Sequence, residues 1–183
     1  MAMAGGIVNI LLIGPRASGK TTVGTRLAEA LRWRFLDLDE VALSRFPEES
    51  VRQVWARHSE KAWRAAEAAA LEQVLSASRQ VIALGGGTPL INEARQLIET
   101  ARREGAAWVV YLQANAETLR RRLVQEAGDR PSLTGGDVAE EVAAVLRQRE
   151  PAYLGLADFV CDASEDPEAI TERILAALPV DSP

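Results

Sequence analysis

Short apolar runs with strand character alternate along this chain with stretches of helical spacing, and this alternation constrains the fold more than any other feature. The runs are IVNILLI (7–13), RFLDL (34–38), VIAL (81–84), AWVVYL (107–112) and DFVCD (158–162). Between them, apolar residues recur every three or four positions, as at Val23, Leu27 and Leu31. Such alternation is typical of parallel sheets covered by helices. We therefore predict an α/β fold of three layers, with a five-stranded parallel sheet and helices on both faces.

Length and charge limit the class of protein. The 183 residues suit a single domain over 1–183, and 48% apolar with 26% charged residues is ordinary for a folded globular protein. A net charge of −5 gives no overall attraction to nucleic acid or to an anionic membrane. We expect a monomer that binds neither, so any anion site must be local.

Sequence features that would direct the chain out of the cytoplasm are missing. No apolar run approaches the roughly 20 residues of a membrane helix. The start, MAMAGG, lacks the basic and long apolar segments of a signal peptide, so we expect a cytoplasmic protein. Cys161 is the only cysteine, which excludes an internal disulfide, and we expect it to be buried packing. The lone His58 is expected at the surface.

The first predicted strand leads into GPRASGKTT, where Gly14, Gly19, Lys20 and Thr21 match the phosphate-binding pattern G-x-x-x-x-G-K-[ST]. A helical pattern follows, which is the context that this motif requires. Backbone N–H groups of such a loop surround the β-phosphate, the lysine reaches the β- and γ-phosphates, and the Thr hydroxyl is a ligand for Mg²⁺. The sequence therefore predicts a P-loop that binds a nucleoside triphosphate.

Two acidic residues end the second predicted strand, in FLDLDE. Asp37 and Asp39 are two residues apart and so point to the same side of an extended chain. Such a pair could hold Mg²⁺ through water and orient a substrate hydroxyl. A solvated acidic strand end is the alternative.

A helix is predicted over VWARHSEKAWRAAEAAAL, residues 54–71. Arg64 and Glu67 are spaced i,i+3, so the carboxylate can hold the guanidinium in one rotamer and leave its fork facing outward. A surface salt bridge is the alternative, and Trp55 and Trp63 could equally be core residues.

Two glycine-containing segments remain. The triplet Gly85–Gly87 follows the VIAL strand, and three adjacent glycines are costly to order, which implies a close approach to this backbone. The segment EAGDRPSLTGGD, 126–137, is poor in apolar residues and predicts a mobile lid over a site.

Six motifs, in this order, resemble those of shikimate kinases, the small P-loop kinases of aromatic amino-acid biosynthesis, over about residues 9–178. They are the P-loop, the Asp37–Asp39 pair, Trp63-Arg64-x-x-Glu67, the glycine triplet, RPSLTG (130–135) and REPAY (149–153). The resemblance implies a P-loop kinase that transfers the γ-phosphate of ATP, with Mg²⁺, to the 3-hydroxyl of shikimate. It also implies a substrate-binding helical segment at about 40–75.

The resemblance assigns roles to individual positions. It implies nucleotide binding by Gly14, Ala17, Ser18, Gly19, Lys20, Thr21, Thr22, Arg122, Arg130 and Pro167. It implies shikimate binding by Asp39, Arg64, Gly85, Gly86, Gly87 and Arg149. Lys20, Asp39 and Arg130 would be catalytic: Asp39 orients the hydroxyl and can accept its proton, and Arg130 closes over the phosphates. Thr21 and Asp37 would hold Mg²⁺.

This chain departs from the family pattern at a few positions. Ala17 replaces a usual glycine, and RPSL stands in place of the common RPLL. No Asp ends the VIAL strand, an absence that the family shares. A gluconate-type sugar-acid kinase and a catalytically silent nucleotide-binding module are the alternative functions. The first lacks this combination of motifs, and the second has no use for a complete acceptor pocket.

Overall fold

The computed structural model describes residues 9–127 and 138–179. Most of the predicted lid, residues 128–137, and with it Arg130, lies outside the described residues. Glu126 and Ala127 of that prediction end a helix. Among the described residues, no helix has both the length and the apolar character to cross a membrane.

The described chain contains five strands and eight helices, with one or more helices between successive strands. The strands are β1 (Asn9–Ile13), β2 (Arg34–Asp37), β3 (Gln80–Ala83), β4 (Ala107–Gln113) and β5 (Phe159–Asp162). The helices are α1 (Lys20–Leu31), α2 (Leu38–Leu43), α3 (Val51–Arg57), α4 (Glu60–Leu75), α5 (Asn92–Arg103), α6 (Ala116–Ala127), α7 (Val138–Leu156) and α8 (Pro167–Ala177). A short 3₁₀ turn, Thr88–Leu90, precedes α5.

The five strands form one parallel sheet in the order β2-β3-β1-β4-β5. The predicted fold is confirmed, and each strand lies within two residues of its predicted bounds. The chain leaves β1 toward one edge, returns through β3, and then crosses to β4 on the other side of β1. Ligands bind where the direction of an open parallel sheet reverses, at the carboxyl ends of its strands. Here, that place is the end of β1, between β3 and β4.

Alternate residues of β1 point to opposite faces of the sheet and enter two separate cores. Leu11 and Ile13 pack in a core with residues of α2, α4 and α5, whereas Ile10 and Leu12 pack with residues of α1, α6 and α8. All four side chains are fully buried. Because both faces are covered, β1 is apolar at nearly every position and does not alternate.

The predicted helix over 54–71 is wrong in one respect, because the structure divides it into α3 and α4. His58 ends α3 with φ −112° and ψ −71°, and the Ser59 hydroxyl accepts a hydrogen bond from the Ala62 backbone N–H at 3.0 Å. Ser59 is therefore the N-cap of a new helix. A serine directly before Glu-Lys-Ala-Trp is a readable helix start, which the apolar spacing across it obscured.

Candidate active site

The glycine loop between β1 and α1 has three residues with positive φ: Gly14 (145°), Ala17 (62°) and Gly19 (94°). Gly19 is the N-cap of α1, so the loop leads directly onto the positive end of that helix. Ala17 adopts a left-handed conformation that costs glycine less free energy than alanine. This difference explains why glycine is the usual residue at this position of the family pattern. Ser18 is fully buried, and its Oγ has no hydrogen-bond partner within the described residues.

Lys20 is the first residue of α1 and folds back over the loop. Its Nζ donates hydrogen bonds to the carbonyl oxygens of Gly14, at 2.9 Å, and Pro15, at 2.7 Å. The ammonium group thus lies inside the curve of the loop rather than out in solvent. A charge held there is placed to meet a phosphate that the loop surrounds.

Thr21, Asp37 and Asp39 meet where β2 gives way to α2. The Thr21 Oγ1 lies 3.4 Å from Asp37 Oδ2, and the other oxygen of Asp37 accepts the Asp39 backbone N–H at 3.0 Å as the N-cap of α2. A hydroxyl and a carboxylate are hard oxygen donors of the kind Mg²⁺ prefers. No group of three or more His, Cys, Asp or Glu side chains able to hold a metal occurs in the described parts of the chain. A cation here would therefore need phosphate or water for its remaining ligands.

The Asp39 carboxyl has an unusual electrostatic environment. Burial raises its pKa from 3.8 to about 6, and the nearby carboxylates of Glu67 and Asp37 add to the rise. Lys20 and Arg64 act in the opposite direction and are weaker. A carboxylate with such a pKa is still ionised at neutral pH, yet it is a better proton acceptor than an ordinary aspartate.

Arg64 on α4 is held by two carboxylates. Its Nη1 donates to Glu67 Oε2 at 2.8 Å, which is the predicted i,i+3 pair. Its Nε and Nη2 both donate to Glu60 Oε1, at 3.3 and 3.0 Å. The prediction of an outward-facing fork is therefore wrong for the Nε–Nη2 edge. That edge is bonded to Glu60, which lies one turn before Arg64 in the helix.

The glycine triplet lies at the centre of these side chains. A Cβ built at Gly85 would stand 2.5 Å from Asp39 Oδ1, and one at Gly87 would stand 2.5 Å from Arg64 Nη1. A Cβ at Gly86 would stand 3.4 Å from Arg149 Nη1. Each glycine therefore makes room for a different charged side chain predicted to bind the acceptor, which is a reason for three adjacent glycines.

The REPAY segment of α7 contacts the same glycines. The Tyr153 hydroxyl donates to the Gly86 carbonyl oxygen at 2.7 Å, and Tyr153 is fully buried. Burial raises the pKa of Tyr153, although Arg149 opposes the rise, so the phenol stays protonated. One turn earlier, Glu150 accepts hydrogen bonds from Tyr111 and Gln113 of β4. These contacts fix the position of α7, and therefore of Arg149, against β4 and the loop that follows β3.

Arg122 connects the glycine loop to the loop after β5. Its guanidinium donates to the Ala163 carbonyl at 2.7 Å and to the Ala17 carbonyl at 3.4 Å. Pro167 is the first residue of α8, and the Asp166 carboxylate caps that helix by accepting the Glu168 backbone N–H at 2.8 Å. Arg122 on α6 and Pro167 on α8, two positions that the resemblance assigns to nucleotide binding, thus lie on either side of the loop that Arg122 joins to the P-loop.

Several side chains near the site were not predicted from the sequence. Glu60 could have been predicted, since it lies four residues before Arg64. The Thr88 hydroxyl donates to Glu67 Oε1 at 2.7 Å and had no sequence signal, because Thr88 is distant in the chain. Trp63 is core, at 2% exposure, whereas Trp55 is 44% exposed with Arg64 over its ring at 5.7 Å.

The two residues expected to have no catalytic role lie outside these contacts. Cys161 is buried as predicted. His58 is at the surface, as predicted, but its Nε2 is 3.1 Å from Oε2 of the buried Glu48.

Comparisons with known sequences all identify the same family. A model of the family described as "SKI: Shikimate kinase" matches residues 16–179. "Shikimate kinase 2" of Yersinia enterocolitica is 40% identical over 171 residues, which are 92% of this chain and 94% of the relative. "Shikimate kinase" of Oleidesulfovibrio alaskensis is 43% identical over 171 residues, which are 92% and 96% of the two chains.

Solved structures extend the comparison to three dimensions. The shikimate kinase of Acinetobacter baumannii, solved in complex with shikimate, has a TM-score of 0.79 at 27% identity and covers 95% of this chain and 96% of its own. A gluconokinase from Sinorhizobium meliloti reaches a TM-score of 0.60 at 21% identity, over 94% and 91% of the chains, which shows a shared fold alone. With the family model spanning nearly the whole described chain and relatives at about 40% identity, this chain belongs to the shikimate kinase family.

Proposed function

We propose that the protein catalyses the ATP-dependent phosphorylation of the 3-hydroxyl of shikimate, giving shikimate 3-phosphate and ADP on the route to chorismate and the aromatic amino acids. The observation that carries this proposal is the glycine triplet, which brings Asp39, Arg64 and Arg149 against one short backbone segment. That segment adjoins the P-loop, because a Cβ at Gly86 would lie 3.6 Å from the Gly14 carbonyl oxygen.

On the donor side, the loop amides and Lys20 bind the phosphates of ATP. Lys20 exchanges its two loop carbonyls for β- and γ-phosphate oxygens and stabilises the charge that develops during transfer. Thr21 and Asp37 are the residues that would hold Mg²⁺, which neutralises phosphate charge when bound. Arg122 and Pro167 line the adenine, with Ser18 and Thr22 near the phosphates.

On the acceptor side, Arg64 and Arg149 bind the shikimate carboxylate, since a guanidinium fork matches a carboxylate in shape and charge. Asp39 accepts the hydrogen bond of the 3-hydroxyl and takes its proton as the new P–O bond forms. Its raised pKa of about 6 suits that role. Asp39 also lies close enough to Lys20 for the ammonium to lower its pKa, which supports the proximity of donor and acceptor sites.

Arg130 and the lid are proposed from the family motif RPSLTG, since they lie outside the described residues. Arg130 would neutralise phosphate charge in the transition state, and the segment 126–137 would exclude water when both substrates are bound. A monomeric state and a cytoplasmic location are predictions from the sequence.

The alternatives are not favoured. The likeness to a gluconokinase is one of fold, and the curated relatives at 37–43% identity are named as shikimate kinases. A silent nucleotide-binding module would have no use for Arg64, Arg149 and the partly buried Asp39 gathered at the glycine triplet.

A coupled assay of ADP release across shikimate, quinate and gluconate tests the proposal. We expect turnover with shikimate, loss of nearly all of it in Lys20→Ala, and loss of activity in excess chelator. Lys61→Ala is the matched control, because Lys61 is the other lysine of the chain and lies exposed on α4. Preference for gluconate, or full activity in Lys20→Ala, would contradict the assignment.

A further inference from the structure

The two carboxylates that hold Arg64 differ in how firmly they are fixed. Glu67 is 1% exposed, and its second oxygen accepts the Thr88 hydroxyl at 2.7 Å. Glu60 is 59% exposed, and its hydrogen bonds within the described residues all go to Arg64. Glu67 is therefore a permanent anchor of the arginine, whereas Glu60 is free to leave.

The place that Glu60 occupies is suited to a substrate carboxylate. The Nε and Nη2 of an arginine form one of the two edges through which it binds a carboxylate in a bidentate manner. One oxygen of Glu60 accepts both donors of this edge, at 3.3 and 3.0 Å. Nη1 donates to Glu67, and a Cβ at Gly87 would stand 2.5 Å from Nη1 and 3.0 Å from both Cζ and Nη2, so this glycine lies against the guanidinium without an intervening side chain. Because Glu60 is exposed, the Nε–Nη2 edge becomes available to another carboxylate once Glu60 moves.

We propose that Glu60 takes the place of the acceptor carboxylate on Arg64 in the free protein and is displaced when the acceptor binds. The inference rests on the proposed function, in which Arg64 binds that carboxylate. If Glu60 stayed, three carboxylates would share one guanidinium, and like charges at such distances disfavour one another. Glu60 is then a specificity-determining residue that weakens the binding of carboxylate ligands by competing with them.

Displacement of Glu60 is inexpensive because of its position in the helix. It is the first residue of α4, where the helix dipole favours a negative charge whether or not the carboxylate bonds to Arg64. Its exposure lets water solvate the released group. An exposed ion pair of ordinary strength corresponds to about a two- to five-fold change in an equilibrium constant.

The test is the affinity for shikimate of Glu60→Gln and Glu60→Ala, measured by calorimetry and by KM. We expect both variants to bind shikimate about two- to five-fold more tightly, with kcat and the KM for ATP unchanged. The matched control is Glu99→Gln, which breaks the i,i+4 pair of Arg95 and Glu99 on α5, where the two groups lie 2.9 Å apart and are about half exposed. This control should leave the affinity for shikimate unchanged.

A second variant pair separates competition at Arg64 from a general effect of charge. In the Arg64→Gln background, adding Glu60→Gln should leave kcat/KM for shikimate unchanged, because the contested guanidinium is gone. Unchanged or weaker shikimate binding in Glu60→Gln overturns the inference, and so does an equal gain without Arg64. If the parent protein does not phosphorylate shikimate at all, the proposed function fails instead.

Discussion

The Asp39 carboxylate lies directly against the α-carbon of Gly85. One of its oxygens is 2.5 Å from the position that a Cβ would take there, and Glu67 Oε1 is 2.8 Å from the same position. Real Cβ atoms do not approach other atoms so closely, and Glu67 is buried and bonded on both oxygens. A single added methyl group would therefore move Asp39, or unseat the anchor of Arg64.

Gly85→Ala should reduce kcat/KM for shikimate on the order of 10²-fold, since displacing a reacting group by about 1 Å has an effect of that size. Overpacking should also lower the free energy of unfolding by about 1–3 kcal/mol. Gly155→Ala is the control, because a Cβ at that helical glycine meets nothing within 4 Å. We expect the control to be fully active and more stable by up to about 1 kcal/mol. Normal turnover in Gly85→Ala would show that the glycine is not required.

Asp39→Asn should stabilise the protein at neutral pH while impairing it as an enzyme. The pKa of Asp39 is raised from 3.8 to about 6 on folding, so the native state holds the proton more tightly than the unfolded chain. Ionisation of Asp39 therefore reduces parental stability as the pH rises from about 4 to about 6, and the deficit is constant above that. The asparagine variant, which cannot ionise, should gain on the order of 3 kcal/mol relative to the parent at pH 7.5, with little difference at pH 4. Urea denaturation at both pH values measures this, and equal differences at the two would contradict it.

The rate of phosphorylation should depend on the same ionisation of Asp39. Ionisation lowers the stability of the protein but is required for activity. Only ionised Asp39 can accept the hydroxyl proton, and its pKa is raised to about 6 in the ligand-free protein, so kcat/KM for shikimate should fall on the acidic side of neutral pH. Saturating MgATP keeps the titration of the nucleotide out of the measurement. The residual activity of Asp39→Asn should lack this acidic limb, and a variant that retains it would assign the titration to another group.

Arg64→Lys should weaken shikimate binding by on the order of 2 kcal/mol, about thirty-fold in Kd. Lysine keeps the charge but cannot provide two parallel N–H donors, and it also leaves the buried Glu67 with Thr88 as its remaining partner. The KM for ATP should be unchanged. Arg95→Lys is the matched control on α5. A parental Kd in Arg64→Lys would remove Arg64 from the acceptor pocket.

Ala17→Gly should stabilise the protein by up to about 1 kcal/mol and preserve activity. The reason is the φ of +62° at Ala17, a conformation that favours glycine over alanine. Arg32→Gly tests the same effect away from the site, because Arg32 ends α1 with φ +56°. Thermal unfolding of the two variants measures both gains, and a loss of stability in Ala17→Gly alone would show that the methyl group makes a contact that outweighs the strain.

The sequence predicted the sheet well because a covered parallel strand is a run of apolar residues, and the five such runs are separated by clear helical patterns. The P-loop and the Arg64–Glu67 pair were likewise readable, since both depend on residues that are near one another in the chain. The division of α3 from α4 was missed because apolar spacing continues across Ser59, and a single capping hydroxyl decided the outcome.

Contacts between distant segments could not be read in the same way. Nothing in the sequence places Thr88 on Glu67 or the Tyr153 hydroxyl on Gly86, because both contacts depend on the register of β3 and the position of α7. The sequence likewise indicated a close approach to the glycine backbone but not why three glycines are needed. Each of the three glycines lies against one side chain, from α2, α4 or α7, and these contacts are visible only in the folded structure.

The order of the strands makes the phosphate-binding half of the site harder to change by substitution than the acceptor-binding half. The glycine loop follows β1, which is paired on both sides and fully buried, so a substitution that shifts it disturbs both cores. The helices α2, α3 and α4 instead come between β2 and β3, and β2 is the partly exposed edge strand. Divergence can thus remodel the acceptor-binding helices while leaving phosphate binding intact, and one fold can be inherited by kinases of different small alcohols.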